Sequence, residues 1–260
     1  MPFANNKGVR IHYEVEGEGP PLVLQHGLTG SLEGWRENGY VDPLKGDYQL
    51  ILVDARGHGA SDKPHTPKAY LGTSMASDVV AVLDDLGIDR ARFWGYSMGG
   101  RIGVFLATHF ADRFHCFVLG GISPRFRPEE RQEVALGIEA MKRGGLAAYV
   151  AFRERTAGPL PPEQKACILA NDMGALFAAQ EAFVKTPSLW DKLPSIPVPC
   201  LLYTGEDDAR FAGAKEAAAV IPHSEFFSLP GLNHAQGMAR IDLVLPRVKA
   251  FLRKMRVTAA

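Results

Sequence analysis

The stretch Ala91-Arg92-Phe93-Trp94-Gly95-Tyr96-Ser97-Met98-Gly99-Gly100 decides the fold. Residues 91–95 form a short apolar run, and residues 98–110 read as a helix that is apolar nearly all round. The pentapeptide Gly95-Tyr96-Ser97-Met98-Gly99 joins the two. A G-x-S-x-G between a strand and a helix has the form of a nucleophile elbow. The turn is so tight that bulky side chains at its glycines would clash. It presents the Ser97 hydroxyl at the strand's carboxyl end, where a helix N-terminus favours developing negative charge.

Outward from this turn, short apolar runs alternate with amphipathic stretches. Strands are expected at residues 9–16, 21–25, 48–53, 116–119, 198–204 and 225–229, besides 91–95. Residues 9–16 alternate apolar and polar side chains, the mark of a half-buried strand. Residues 21–25 are continuously apolar, as in a strand covered on both faces. Only residues 17–20 separate these two, which favours an antiparallel pair. Residues 74–86 place Val79, Val82, Leu83 and Leu86 on one helical face, and Gly87 supplies the stop. Residues 212–220 and 243–251 are further helices. Strands alternating with helices predict an α/β fold with a mostly parallel sheet. Residues 124–197 break the rhythm: they show helical patterns and no good strand, so they read as a helical insertion between two strands. Residues 1–123 and 198–260 then make one core domain.

The chain has 260 residues with 29 basic and 29 acidic side chains, so its formal net charge is zero. That balance offers no overall field to nucleic acid or an anionic membrane. Apolar residues at 46 % are enough for a sizeable core, which excludes general disorder and a disulfide-stapled miniprotein. Cys116, Cys167 and Cys200 are scattered without CxxC spacing, which argues against a zinc site or a disulfide framework. Residues 1–13 carry no apolar signal segment and no run approaches a membrane span, so a cytoplasmic location is expected.

A nucleophilic serine needs a base, an acid and an oxyanion hole. For a nucleophile elbow the expected chain order is Ser, acid, His. His234, in Pro230-Gly231-Leu232-Asn233-His234, follows the last strand and is the expected base. His12 falls in the first strand and His109 in the helix after the elbow, His65, His115 and His223 have no motif around them, and the His26 ring is expected to be a hydrogen-bonded structural group. The acid should follow the strand at 198–204, where Gly205-Glu206-Asp207-Asp208 offers three carboxylates. Residue chemistry alone does not separate Asp207 from Asp208. Gly120-Gly121-Ile122-Ser123-Pro124, after the preceding strand, offers no carboxylate. The expected oxyanion donors are the backbone N–H groups of Met98 and of Leu28, in His26-Gly27-Leu28-Thr29-Gly30. Each such donor is worth about 2.7–4 kcal/mol.

From about Phe3 to Leu252 the chain resembles the α/β-hydrolase family. Four ordered motifs carry the likeness: His26-Gly27, Asp54-Ala55-Arg56-Gly57-His58-Gly59-Ala60-Ser61, Gly95 to Gly100, and Gly205-Glu206-Asp207-Asp208 with His234. The resemblance implies a mostly parallel eight-stranded sheet, helices on both faces, and a helical lid where residues 124–197 fall. It assigns the catalytic acid to Asp208, the last residue of the G-x-x-D loop, and leaves His58 in a structural turn. Relatives that are haloalkane dehalogenases or epoxide hydrolases use Asp at the position of Ser97, which disfavours both. Carbon–carbon bond hydrolases of the family usually have Asn where this chain has Tyr96. What remains resembles small carboxylesterases, lactonases and cofactor-free perhydrolases, which act on esters or lactones through an acyl-enzyme without metal or organic cofactor.

A second likeness is to succinyl-hydroxycyclohexadiene-carboxylate synthases, a lyase activity of menaquinone biosynthesis. His26 to Ser31, Gly95 to Arg101 and Gly205 to Phe211 carry it. On that reading Arg101 clamps a substrate carboxylate. The insertion is rich in apolar side chains, among them Leu136, Ile138, Met141, Tyr149, Phe152, Phe177, Phe183 and Trp190. Trp190 with some of these is expected to line a pocket for a small apolar ester or lactone rather than a highly charged molecule. A non-catalytic small-molecule receptor on the same fold is the alternative from another class.

Overall fold

A computed structural model describes residues 2–125 and 127–255; Met1, Phe126 and 256–260, which fall in the expected core and insertion ranges, lie outside the described residues. Eight strands form one sheet: β1 (Phe3–Asn6), β2 (Val9–Glu16), β3 (Pro21–Gln25), β4 (Gln49–Val53), β5 (Ala91–Tyr96), β6 (Phe114–Gly120), β7 (Cys200–Gly205) and β8 (Ser224–Leu229). Their order is β1-β2-β4-β3-β5-β6-β7-β8. The β1–β2 and β2–β4 pairs are antiparallel, and all pairs from β4 to β8 are parallel.

Alternation along the central strands explains why both faces are covered. Side chains two apart share a face. Val23, Ile51, Val53 and Phe93 therefore join one apolar cluster, while Leu22, Leu24, Leu50, Leu52 and Trp94 join the other. The first cluster packs against α2 (Gly72–Asp85), α3 (Met98–His109) and α7 (Phe211–Val220). The second packs against α1 (Glu33–Glu37), α8 (His234–Ala239) and α9 (Ile241–Lys254). There Trp35, Tyr40 and Trp94 meet edge to face with ring centroids 5.1–5.5 Å apart.

The expected pairing of residues 9–16 with 21–25 does not form. β4 lies between β2 and β3. The short connection instead crosses the start of β4, and its glycine makes that crossing possible. Gly17 has φ +76°, and a Cβ there would lie 2.2 Å from the Lys45 carbonyl oxygen. β1 is an additional strand, too short to show a period in the sequence.

Three helices connect β6 to β7: α4 (Pro128–Ala157), α5 (Pro162–Leu169) and α6 (Met173–Lys185). α4 is bent at Gly144 and Gly145, whose backbones leave the helical region. These helices enclose a small core of their own, with Met141, Tyr149, Val150, Phe152, Leu160, Ile168 and Leu176. No helix among the described residues is long and apolar enough to cross a membrane.

Candidate active site

Ser97 sits between β5 and α3 with φ +56° and ψ −114°, a left-handed conformation that costs on the order of 1–3 kcal/mol for a residue with a side chain. Two glycines permit the bend. A Cβ on Gly95 would lie 2.3 Å from the Gly99 carbonyl oxygen, and one on Gly99 would lie 2.1 Å from the Gln25 carbonyl oxygen. The Ser97 N–H donates to the Gly120 carbonyl at 2.8 Å, which fixes the elbow to β6.

The Ser97 hydroxyl lies 2.8 Å from His234 Nε2, and His234 Nδ1 lies 2.6 Å from Asp208 Oδ2. An ionised carboxylate only accepts, so Nδ1 carries the proton and Nε2 is left facing the serine hydroxyl. His234 opens α8, whose Asn233 cap holds the first turn through a reciprocal hydrogen bond with Gln236. Tyr96 fixes this turn from below. Its hydroxyl donates to the His234 carbonyl at 2.6 Å, and its ring stacks on the imidazole at 5.4 Å.

Asp208 is buried beneath His234, whereas Asp207 and Glu206 are exposed. Asp208 Oδ1 accepts the Arg210 backbone N–H and guanidinium, each at 3.0 Å, and Oδ2 also accepts the Thr204 hydroxyl at 3.1 Å. Burial opposes ionisation of this carboxyl. The His234 and Arg210 contacts outweigh it and hold its pKa well below the usual carboxylate range. Burial and the Arg210 charge outweigh Asp208 at His234 and hold the imidazole below its ordinary value, so it is neutral at pH 7. The arrangement can therefore accept a proton from Ser97 and stabilise the charge it gains.

The loop after β3 abuts the elbow: a Cβ on Gly27 would lie 3.2 Å from Ser97 Cβ. The N–H groups of Leu28 and Met98 donate to no acceptor among the described residues. Neighbouring Thr29, at φ +67°, is held on both sides. Its N–H donates to His58 Nε2 at 3.3 Å, and its carbonyl accepts from Asn171, in the connection between α5 and α6, at 3.0 Å. His26 lies 2.7 Å from the Gly27 carbonyl through Nδ1 and accepts the Ala55 N–H at 3.0 Å through Nε2. Asp54 accepts the N–H groups of Leu32 and Ala60 at 2.8 and 2.9 Å. The 54–61 loop is thus a buried polar clasp under the loop that carries Leu28.

Above Ser97 opens a cavity of about 240 Å³. Leu28, Ser97 and His234 lie on its core side, and Tyr149, Phe152, Leu160, Ile168 and Phe183 close it from α4, the α4–α5 connection, α5 and α6. Arg101 and Trp190, expected at the substrate, are not brought there. Arg101 lies one turn into α3, where the helix has rotated its side chain away from the elbow. It lines a separate small cleft with Gly72, Met75, Phe105 and Thr186. Burial lowers its pKa to about 10, with Glu130 opposing. Trp190 stands in a 3₁₀ turn, Trp190–Ser195, at the base of the insertion, with the Arg125 guanidinium 4.3 Å above its ring. Sequence reasoning did not single out Arg210, Arg153 or Gln180, all of which line the cavity. Arg210 lay within a motif already noted, two residues after Asp208, but nothing in the sequence distinguishes its guanidinium from a solvated one.

Comparison with known proteins places this geometry among relatives. A model described as alpha/beta hydrolase fold matches residues 20–234. A Bacillus subtilis protein with the provisional name 2-succinyl-6-hydroxy-2,4-cyclohexadiene-1-carboxylate synthase is 29 % identical, over 93 % of this chain and 95 % of its own. The esterase YbfF of Escherichia coli is 27 % identical, over 89 % of this chain and 92 % of its own. The crystal structure of the enol-lactonase from Burkholderia xenovorans LB400 superposes with a TM-score of 0.83 at 28 % identity, covering 97 % of this chain and 100 % of that one. Fold, ordered motifs and matches agree, and the chain belongs to the α/β-hydrolase family.

Proposed function

We propose that this protein is a serine hydrolase of carboxylic esters or lactones, with Ser97 as nucleophile, His234 as general base and Asp208 as the acid that orients it. The hydrogen-bonded line from Asp208 through His234 to a strained Ser97 on the cavity wall carries this reading. Ser97 Oγ attacks the acyl carbon as its proton passes to His234 Nε2. The N–H groups of Leu28 and Met98 receive the oxyanion. His234 then protonates the departing alkoxide, and water, activated by the same imidazole, releases the acid from the acyl-enzyme. Relatives named as esterase and enol-lactonase support the substrate class. The Ser97→Ala variant is expected to lower kcat/KM on a short-chain p-nitrophenyl ester by about 10³-fold or more while keeping the wild-type circular dichroism. Loss of less than about tenfold would sink the mechanism.

The Bacillus subtilis relative supports a second reading, a lyase in which His234 takes a proton from carbon and pyruvate leaves. Arg101 lies outside the cavity, which removes the carboxylate clamp expected for it. A panel of esters, lactones and the substrate of the succinyl-hydroxycyclohexadiene-carboxylate synthases separates the readings: turnover of that substrate alone would replace hydrolysis. A receptor role predicts no adduct at Ser97 with a fluorophosphonate, whereas the hydrolase is labelled.

A further inference from the structure

Two of the hydrogen-bond donors on the cavity wall, neither used by the Ser97–His234–Asp208 line, lie on helices of the insertion. The first is Arg153, on α4. Ala157, one helical turn further on, accepts the side-chain amide of Asn233 at 3.2 Å through its carbonyl, and Asn233 directly precedes His234. Arg153 lines the same cavity as His234. The nearby carboxylates of α4 are engaged elsewhere: Glu154 with Lys165 at 2.7 Å, and Glu133 with Arg210 at 3.5 Å. No carboxylate among the described residues pairs with the Arg153 guanidinium.

The second donor is Gln180 of α6, which is 3 % exposed and lines the same cavity. Its amide nitrogen is buried with no hydrogen-bond partner among the described residues. Its amide oxygen lies 3.7 Å from where a Cβ on Gly137 would stand, and that point is 3.5 Å from Phe152, the residue before Arg153. Leaving the buried Gln180 amide unsatisfied is costly, and so is covering the partly exposed Arg153 guanidinium without a partner. A hydrocarbon acyl group would bury them without relief. A carboxylate accepts two parallel bonds from a guanidinium and satisfies both its own charge and the arginine's.

We propose that the preferred substrate is a short ester or lactone carrying a carboxylate away from the scissile bond, bound by Arg153 with Gln180 donating to a neighbouring oxygen. Apolar side chains of the same cavity, Phe152 and Phe183 among them, pack the connecting carbons. The sequence reading of an apolar pocket is sharpened to an apolar pocket with a cation on its wall. This inference rests on the hydrolase reading for turnover but not for binding.

The test compares monomethyl glutarate with methyl pentanoate, an uncharged ester with the same acyl chain length, by pH-stat. The wild type should favour the half-ester in kcat/KM, chiefly through KM. The Arg153→Ala variant should lower that preference about tenfold or more, Arg153→Lys less, since a charge-assisted pair is being removed. Arg153→Gln, neutral and similar in length, gives the same reading if the alanine variant does not fold. Calorimetric titration of Ser97→Ala with monomethyl glutarate measures binding without turnover, and adding Arg153→Ala should weaken it by about the same factor. Arg153-dependent binding without hydrolysis of either ester would support the subsite while the hydrolase reading fails. An unchanged preference, or binding that ignores Arg153, would overturn the proposal.

Discussion

Asp207 projects into solvent, while Asp208 is 5 % exposed and touches His234, Thr204 and Arg210. That difference in surroundings should appear in activity. Asparagine at 208 keeps the shape but presents an amide that can donate to Nδ1, so the imidazole is free to hold the wrong tautomer. Asp208→Asn is expected to cost about 10³- to 10⁴-fold in kcat, and Asp207→Asn less than about threefold. Steady-state kinetics on one ester decides it: equal losses would mean that Asp208 is not the orienting acid. The two aspartates are neighbours in sequence, and their residue chemistry is the same. Only burial and the direction of the turn after β7 separate them, and the G-x-x-D likeness stood in for that information.

Elements with a strong period were readable, and those set by tertiary contact were not. Residues 21–25, 91–95 and 198–204 read as strands because burial on both faces leaves continuous apolar runs. The place of β4 between β2 and β3 was not readable. It depends on Gly17 passing the Lys45 carbonyl, a contact between residues 28 positions apart. α8 is not legible in the sequence because its six residues show no period; the Asn233–Gln236 cap defines it. Equally hidden was the clasp that ties β1, α2 and the 54–61 loop. Arg56 donates to both Asp78 oxygens at 2.6 and 2.5 Å, and Asn6 donates to Asp78 at 2.7 Å. The Arg56 and Asp78 side chains are only 6 % and 4 % exposed. Arg56→Met should therefore destabilise the fold by about 3–5 kcal/mol, because the carboxylate is left buried and uncompensated. Adding Asp78→Leu should recover much of the loss, as apolar replacement of a whole buried pair often does. Urea unfolding of both variants checks this, and a double variant no more stable than Arg56→Met would refute the account.

Zero net charge at neutral pH conceals how the whole molecule responds to acid. Burial holds His26 below its ordinary pKa, and burial together with the His26 charge pushes His58 down to about 3. His234 and His115 are lowered as well, again chiefly by burial. Each of these imidazoles takes up a proton near pH 6.5 once unfolded but resists it when folded. Stability is therefore full above about pH 6.5 and is lost as pH falls below that value. Glu130 and Asp78 act in the opposite sense: burial raises both, Glu130 to about 6, so the folded state binds those protons before the unfolded chain does, offsetting two histidines. The net uptake on unfolding stays positive, at roughly 1.4 kcal/mol per pH unit for each net proton. The free energy of unfolding in urea should thus fall steadily from pH 7 to pH 4.5. His58→Gln can still accept from Thr29 and donate to the Arg56 carbonyl, yet it has no proton to gain, so its stability curve should be shallower by about one proton. A flat wild-type curve, or an unchanged slope in His58→Gln, would contradict this reading. His58 and His26 hold the loop that carries Leu28, so the proton uptake that accompanies unfolding falls on groups beside the site's expected oxyanion donor.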